Sequence, residues 1–316
     1  LIPLWQLNIE YKKMSMKREQ QIKQQKEQNR LQKERNINEA WSLLSNDQLQ
    51  GKDLNGGRVS ALELLSNEEK RLDGVELTNA YLVGVELKRA QMTEADLVNT
   101  GLDYADLTDA ELIYANLSKA RLYHATLKNT QFQHGELKGA RFGQATLIGV
   151  NFKNTTLTNA DFESAKSIKN TTFKDATLNK SNFKYVEPFT KANFQNANLT
   201  GANFKGAELS DSNFQDANLT DSDFEKTKLM NANFQNANLT GANFKGAELS
   251  DSNFQDANLE CANFRNTEDL SVDKIKEAKN VGLAYYDQET REKLKKEFQN
   301  SDKYLVDLNK INNNCK

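Results

Sequence analysis

ANFQNANLTGANFKGAELSDSNFQDANL, residues 192–219, recurs letter for letter at residues 232–259, and within each copy a five-residue beat repeats. Every fifth residue is Leu or Phe, two positions before it stands Ala or Ser, and two positions after it stands Gly, Asn or Asp. A five-residue step advances an α-helix by about 140°, which would smear the large residues around the whole cylinder, so a helix is excluded. In an extended chain, residues two apart point to the same side. The large residue, here termed the centre, therefore faces inward together with the small residue before it, and the residue between them faces out. Gly, Asn or Asp then falls where a type II turn requires φ > 0. Each pentad is one short strand and one corner.

Outward from this block the same beat runs from Leu72 to Phe162, from Ile168 to Phe183 and from Phe189 to Phe264, and all 39 centres are Leu, Phe, Ile or Met. Strands this short coil and stack, each coil pairing with the next at about 4.8 Å. The duplicated block is offset by 40 residues, and Phe alternates with Leu from Phe132 onward, so a coil holds an even number of pentads. Four pentads give a square coil of 20 residues, with Phe stacked on two opposite faces and Leu on the other two. The beat slips by one residue between Phe162 and Ile168 and again between Phe183 and Phe189, one coil apart, which places both extra residues on one corner as bulges. The fold class is an all-β solenoid.

Ala192-Asn193-Phe194, Ala197-Asn198-Leu199 and Ala202-Asn203-Phe204 carry a resemblance to the pentapeptide-repeat family, extending over residues 72–264. That resemblance implies a right-handed quadrilateral β-helix and a binding role. NEAWSLL, GGRVSALELLSNEEKRLDGVEL and the segment after Phe264 are similar to the lead-in and the C-terminal cap of cyanobacterial members. The domains expected are residues 1–50, a juxtamembrane-like and polar helical segment; 51–70, an N-terminal cap; 71–266, the β-helix; and 267–316, a C-terminal helical cap and tail.

The flanks read as follows. Leu1, Ile2, Leu4, Trp5 and Leu7 stand directly before Lys12, Lys13, Lys17 and Arg18, a pattern that resembles the last turns of a membrane span at a positive-inside boundary. Membrane association through a segment at or upstream of the N-terminus, on the cytoplasmic side, is the expectation. Propensities favour a polar helix from Lys12 to Leu44, in which Ile22, Leu31 and Ile37 do not make a sustained heptad. Gly51 to Gly57 reads as a loop, and Arg58 to Ser66 as a short helix with Val59, Leu62 and Leu65 on one side, closing the first coil. After Phe264, Ser271 and Asp287 are candidate N-caps of two short helices over the last coil, with Ile275, Ala278 and Val281 buried. Tyr304, Leu305, Leu308 and Ile311 extend that cap, and Asn312 to Lys316 read as disordered. The two cysteines, Cys261 and Cys315, read as isolated thiols, which points away from a disulfide framework and toward a reducing compartment.

Function has to be written on the outside, because Leu, Phe and Ala fill the interior. The 316 residues carry a net charge of −2 and only two His, with no zinc spacing, phosphate-binding loop or nucleophile elbow. No catalytic, cofactor-binding or metal-binding residue is assigned. No face is continuously basic with interleaved aromatics, so nucleic acid is not an expected partner. Some family members mimic duplex DNA and bind DNA gyrase in quinolone resistance. That alternative role needs a strongly acidic rod, whereas residues 70–266 hold 21 Lys and Arg against 24 Asp and Glu. Exposed aromatics concentrate in the early coils. With 20 residues per coil, Tyr104 stacks on His124 at one corner and Tyr114 on His134 at the opposite one, and Tyr81, Val83, Arg121 and Tyr123 join the first face. Tyr81, Tyr104, Arg121, Tyr123 and His124 are therefore the candidate contact surface for a protein partner. Lys166, Lys169, Lys174 and Lys184 beside the slips form a candidate basic patch. The expected function is a non-enzymatic protein–protein interaction scaffold, tethered near a membrane.

Overall fold

The computed structural model describes residues 3–45, 55–187, 191–298 and 315. Phe189 and Pro188, Leu1 and Ile2, the 51–54 part of the expected loop, and residues 299–314 and 316 lie outside the described residues. The element order is α1 (Leu4–Leu44), α2 (Asn55–Asn67), the solenoid, α3 (Val272–Ile275), a 3-10 turn (Val281–Leu283) and α4 (Gln288–Phe298).

Away from the slips, the residue just before a centre bridges, in parallel, to the residue 20 positions on: Glu76 to Asp96, Tyr81 to Gly101, Glu86 to Asp106, Gln91 to Glu111. Four such rows wind around the body, which makes it a four-sided β-helix with one bridging residue per side. Face 1 carries centres such as Leu112 and Phe132, face 2 Leu117 and Leu137, face 3 Leu122 and Phe142, and face 4 Leu127 and Leu147. One pentad shows the wiring. Leu77 N–H donates to Asp96 O at 2.7 Å and Asn79 N–H to Val98 O at 2.8 Å, while Ala80 N–H returns to Leu77 O at 3.0 Å and closes the turn. Asn79, at φ 61°, is the left-handed third residue of that type II turn, and the same sign recurs at every corner of the column above it.

Every described centre is buried, none more than 2% exposed. Phe rings stack along faces 1 and 3, with Phe194 on Phe214 at 4.9 Å and Phe204 on Phe224 at 4.9 Å. The two stacks meet edge to face across the axis, as at Phe204 and Phe214, 5.8 Å and 83° apart. That geometry suits the ring quadrupole. Where Thr replaces the inward Ala, its hydroxyl finds a carbonyl: Thr100 donates to Leu77 O and Thr227 to Phe204 O, both at 2.9 Å, whereas the inward hydroxyls of Ser181 and Ser212 have no hydrogen-bond partner among the described residues. The slips sit where expected. The register lengthens to 21 residues from Asn151 with Thr172 to Asn182 with Asn203, and returns to 20 at Asn193 with Asn213. Both extra residues follow the face 4 row, after Lys166 and after Glu187.

Caps close both ends. Leu62 and Leu65 of α2 are fully buried, Val59 partly, and Glu63 accepts the Glu86 N–H at 3.1 Å, supplying an oxygen that a preceding coil would otherwise provide. The helix begins at Asn55, so Asn55 to Gly57 are helical and not loop. At the other end Lys279 and Tyr285 add partial rungs on Asn258 and Asn263. Tyr286 lies on the last Phe, Phe264, at 5.6 Å, and its hydroxyl donates to Val281 O at 3.2 Å. Burial pushes the Tyr286 phenol far above its ordinary pKa. Ile275, Ala278 and Val281 are buried as the pattern requires. Ser271 flanks α3 without a side-chain cap, and Asp287 turns its carboxylate to the Asn266 N–H at 2.8 Å.

Two expectations change. The N-terminal helix begins at Leu4, eight residues before Lys12, because nothing between Leu4 and Lys12 interrupts it and Pro3 sits just outside the first turn. Cys261 and Cys315 are joined in a disulfide, with Cα atoms 5.4 Å apart across a separation of 54 residues. The spacing in sequence hid this pairing: 54 residues separate the two cysteines, and nothing in the repeat pattern brings Cys315 to the Cys261 corner. The reading of a reducing compartment, which rested on free thiols, loses its basis.

Candidate interaction surface

The outward residue before each centre has a local task that sequence reading missed. The N–H of the residue after a centre is not used by the rungs, and the side-chain oxygen of Asn or Asp two residues earlier accepts it: Val98 N–H to Asp96 and Gln195 N–H to Asn193, both at 3.0 Å. This is an Asx turn. The recurrent Asn or Asp at that place was its available signal. Asn also donates to the preceding coil, as Asn253 does to Asn233 at 3.0 Å and Asn233 to Asn213 at 3.2 Å. On face 2, Asn238 donates to Thr220 Oγ1 and Asn258 to Thr240 Oγ1. Late coils thus carry amide ladders on faces 1 and 2 and on most of face 3, while the face 4 row holds Glu208, Lys228 and Glu248.

Face 3 departs from this pattern in the early coils. Tyr104, at φ 62°, and His124, at φ 59°, occupy corners where Gly or Asn is cheapest, and they stack at 5.0 Å and 20°. Tyr123 meets His124 edge-on at 4.4 Å and 78°. The Tyr123 ring lies against Gly143, where an added Cβ would come within 3.1 Å of it. One row over, Gly101 leaves room for the Tyr81 ring and the Arg121 guanidinium on either side of it. Arg121 pairs with Asp103, a buried carboxylate whose other oxygen accepts the Tyr123 N–H at 3.1 Å. The guanidinium of Arg141, next in the Arg121 row, has no ion-pair or hydrogen-bond partner among the described residues. Beyond it Asp161 accepts from Asn182 at 3.0 Å. Asp103, Tyr104, Arg121, Tyr123, Arg141 and Asp161 rim a shallow, open hollow of about 600 Å³ over Gly143, with Tyr81 and His124 outside its lining. Tyr104 is 61% exposed, Tyr123 47% and Tyr81 40%. All five candidate surface residues, Tyr81, Tyr104, Arg121, Tyr123 and His124, share this one face. Tyr114 and His134 stack at 4.9 Å on face 1, opposite.

The four lysines beside the slips are not brought together. Lys166 lies in the face 4 row, and Lys169 follows it with its carbonyl accepting the Gly149 N–H at 2.8 Å. The Lys174 carbonyl accepts the Asn154 N–H on face 1, and the Lys184 carbonyl accepts the Ser164 N–H on face 3, the far side of the tube. Lys184 Nζ lies 4.9 Å from the Tyr185 ring centroid. Among the described residues no group of three or more His, Cys, Asp or Glu is placed to hold a metal ion. No described helix is long and apolar enough to cross a membrane.

The family model for the pentapeptide repeat region matches residues 105–183 and 188–264, and the model for pentapeptide repeats in eight copies matches residues 71–103. The chain belongs to the pentapeptide-repeat family, whose fold is the right-handed β-helix and whose members are generally non-enzymatic. No curated protein matches the chain. Among solved structures it is similar to HetL, a pentapeptide repeat protein involved in heterocyst differentiation regulation from the cyanobacterium Nostoc sp. strain PCC 7120, with 26% identity over 63% of this chain and 86% of that one and a TM-score of 0.29. It is also similar to full-length QnrB1, a plasmid-mediated fluoroquinolone resistance protein, with 17% identity over 69% and 96% and a TM-score of 0.28. A third is a pentapeptide repeat protein from the Arabidopsis thaliana thylakoid lumen, with 29% identity over 40% and 69% and a TM-score of 0.17. Family membership rests on the family models and the 20-residue register, and the superpositions carry no argument about role.

Proposed function

We propose that the protein is a non-enzymatic scaffold that binds a protein partner through the early part of face 3. One observation carries this reading: Tyr104 and His124 hold strained left-handed corners that the fold fills more cheaply with Gly or Asn, and they lie beside an unpaired Arg141. Aromatic and Arg side chains exposed together supply the anchors of protein interfaces. The interior offers no competing site, because Leu, Phe and Ala fill it and the hollow over Gly143 is open to water, which denies catalysis the enclosed, desolvated groups it needs. The amide-rich late faces give a DNA-mimicking role no specific support.

A photo-crosslinking residue placed at position 104, and at position 220 on face 2 as control, tests the reading in lysate of the native host. A discrete adduct from position 104 that is absent from position 220 and lost on Tyr123→Ala supports it. Equal labelling from both positions, or none from 104, removes face 3 from consideration.

A further inference from the structure

α1 leaves most of its surface without a partner. Among the described residues only its last turns touch the rest of the protein, through Ile37, Ala40, Trp41 and Leu44, with Lys33 pairing to Glu68 one turn earlier. Its exposed apolar residues crowd into the first turns, and their angles are informative. At 100° per residue, Leu4, Leu7, Tyr11 and Met14 share one side of the helix, and Trp5, Ile9 and Met16 lie about 160° away. A helix lying flat on a bilayer, or wound into a two-stranded coil, needs a single apolar stripe. Two opposed stripes need apolar surroundings on every side. Positive charge follows at once: Lys12, Lys13, Lys17 and Arg18 stand against Glu10 and Glu19 alone. Apolar residues from Leu4 to Ile9, then Tyr11, then the basic residues is the order met on passing from acyl chains through the interface to headgroup phosphates.

We propose that the first turns of α1 insert end-on into an anionic bilayer, with Leu4, Trp5, Leu7 and Ile9 among the acyl chains, Tyr11 at the interface and Lys12, Lys13, Lys17 and Arg18 on lipid phosphates, while the rest of the helix is a spacer. The stretch from Glu19 to Asn36 would lift the docked end of α1 by about 27 Å. Pairs along it favour one straight helix: Arg30 bonds both Glu27 and Glu34 at 2.6 Å, and Gln32 bonds Asn36 at 2.8 Å. The inference is independent of face 3, since it uses no residue of the solenoid.

The test uses the whole chain and vesicles of phosphatidylcholine with or without phosphatidylglycerol. With Trp41→Phe, Trp5 is the single fluorophore of its kind. Its emission shifts to the blue and is quenched by acyl-brominated lipid in the anionic vesicles, and Lys12→Gln/Lys13→Gln weakens the partitioning on the order of tenfold or more. Co-sedimentation of the chain with Trp41 intact reads the same binding should Trp41→Phe loosen α1. Equal binding to neutral and anionic vesicles, no binding, or a blue-shifted Trp5 in lipid-free dimers overturns the proposal, the last in favour of a helical pair.

Discussion

The coils centred on Leu72 to Leu127 and those centred on Phe194 to Phe264 share one backbone yet differ in core and outer wall. Leu97 donates to Asn116 O at 2.7 Å, and a hundred residues later Leu199 donates to Asn218 O at 2.7 Å. Inside, the late coils add two ring stacks in mutual edge contact, and outside they add Asn and Thr ladders that tie each coil to the next. The early coils cap the same turns with Asp96 and Asp106, which accept the N–H but cannot donate to the preceding coil. Their outer wall carries Tyr, His and Arg instead. The late coils are built for regularity, and the early ones trade part of it for a varied surface.

The sharpest way to break this contrast is in the core. Phe214→Ala removes a ring stacked on Phe194 and Phe234 and edge-on to Phe204 and Phe224, at an expected cost of about 3 to 5 kcal/mol. Leu112→Ala on the same face should lie lower in a denaturant titration, at about 2 to 4 kcal/mol. Equal losses would show that ring stacking adds nothing to burial. On the wall, Asn218→Ala deprives the Thr220 N–H of its acceptor and breaks the ladder to Asn238 and Thr200, for about 1 to 2 kcal/mol. Asn218→Asp restores the turn and recovers roughly half of that.

Tyr104→Gly should change stability by no more than about 0.5 kcal/mol either way, since relief at φ 62° offsets the lost stack on His124. A large loss would make Tyr104 part of the scaffold and not of its contact surface. The smallest expected effect is on acid sensitivity. Burial pushes the Asp106 carboxyl up, but hydrogen bonds from Thr108 and the Lys88 ion pair outweigh it and hold the group below its ordinary value. A depressed carboxyl contributes stability that is present above its unfolded pKa and is lost as pH falls through the folded one, so the coil around Asp106 should loosen as pH falls below the ordinary Asp value of about 4. Amide caps do not titrate. Hydrogen exchange at pH 3 should therefore rise around Asp106 before it rises around Asn213 and Asn233.

Much of this was legible because the solenoid is a local code. The left-handed corners, the four faces, the alternation of Phe and Leu and the stacking of Tyr104 on His124 all follow from positions counted along the chain. The Asx turn was visible as Asn or Asp before each centre but needed the rung pattern to show which N–H is left over. The lysines beside the slips looked like one patch in sequence, yet Lys174 and Lys184 point from opposite sides, since ten residues are half a coil.

By itself the chain determined a square tube with a filled interior, because a period of five in extended backbone leaves each large residue one inward direction, repeated every 20 positions. Only the tertiary structure decided what happens where the period ends. There α2 lends Glu63 to an open rung, Tyr286 continues the Phe stack, and Cys315 returns to Cys261. Those contacts depend on how a non-repeating segment closes an exposed edge, and no spacing in the sequence encodes that closure.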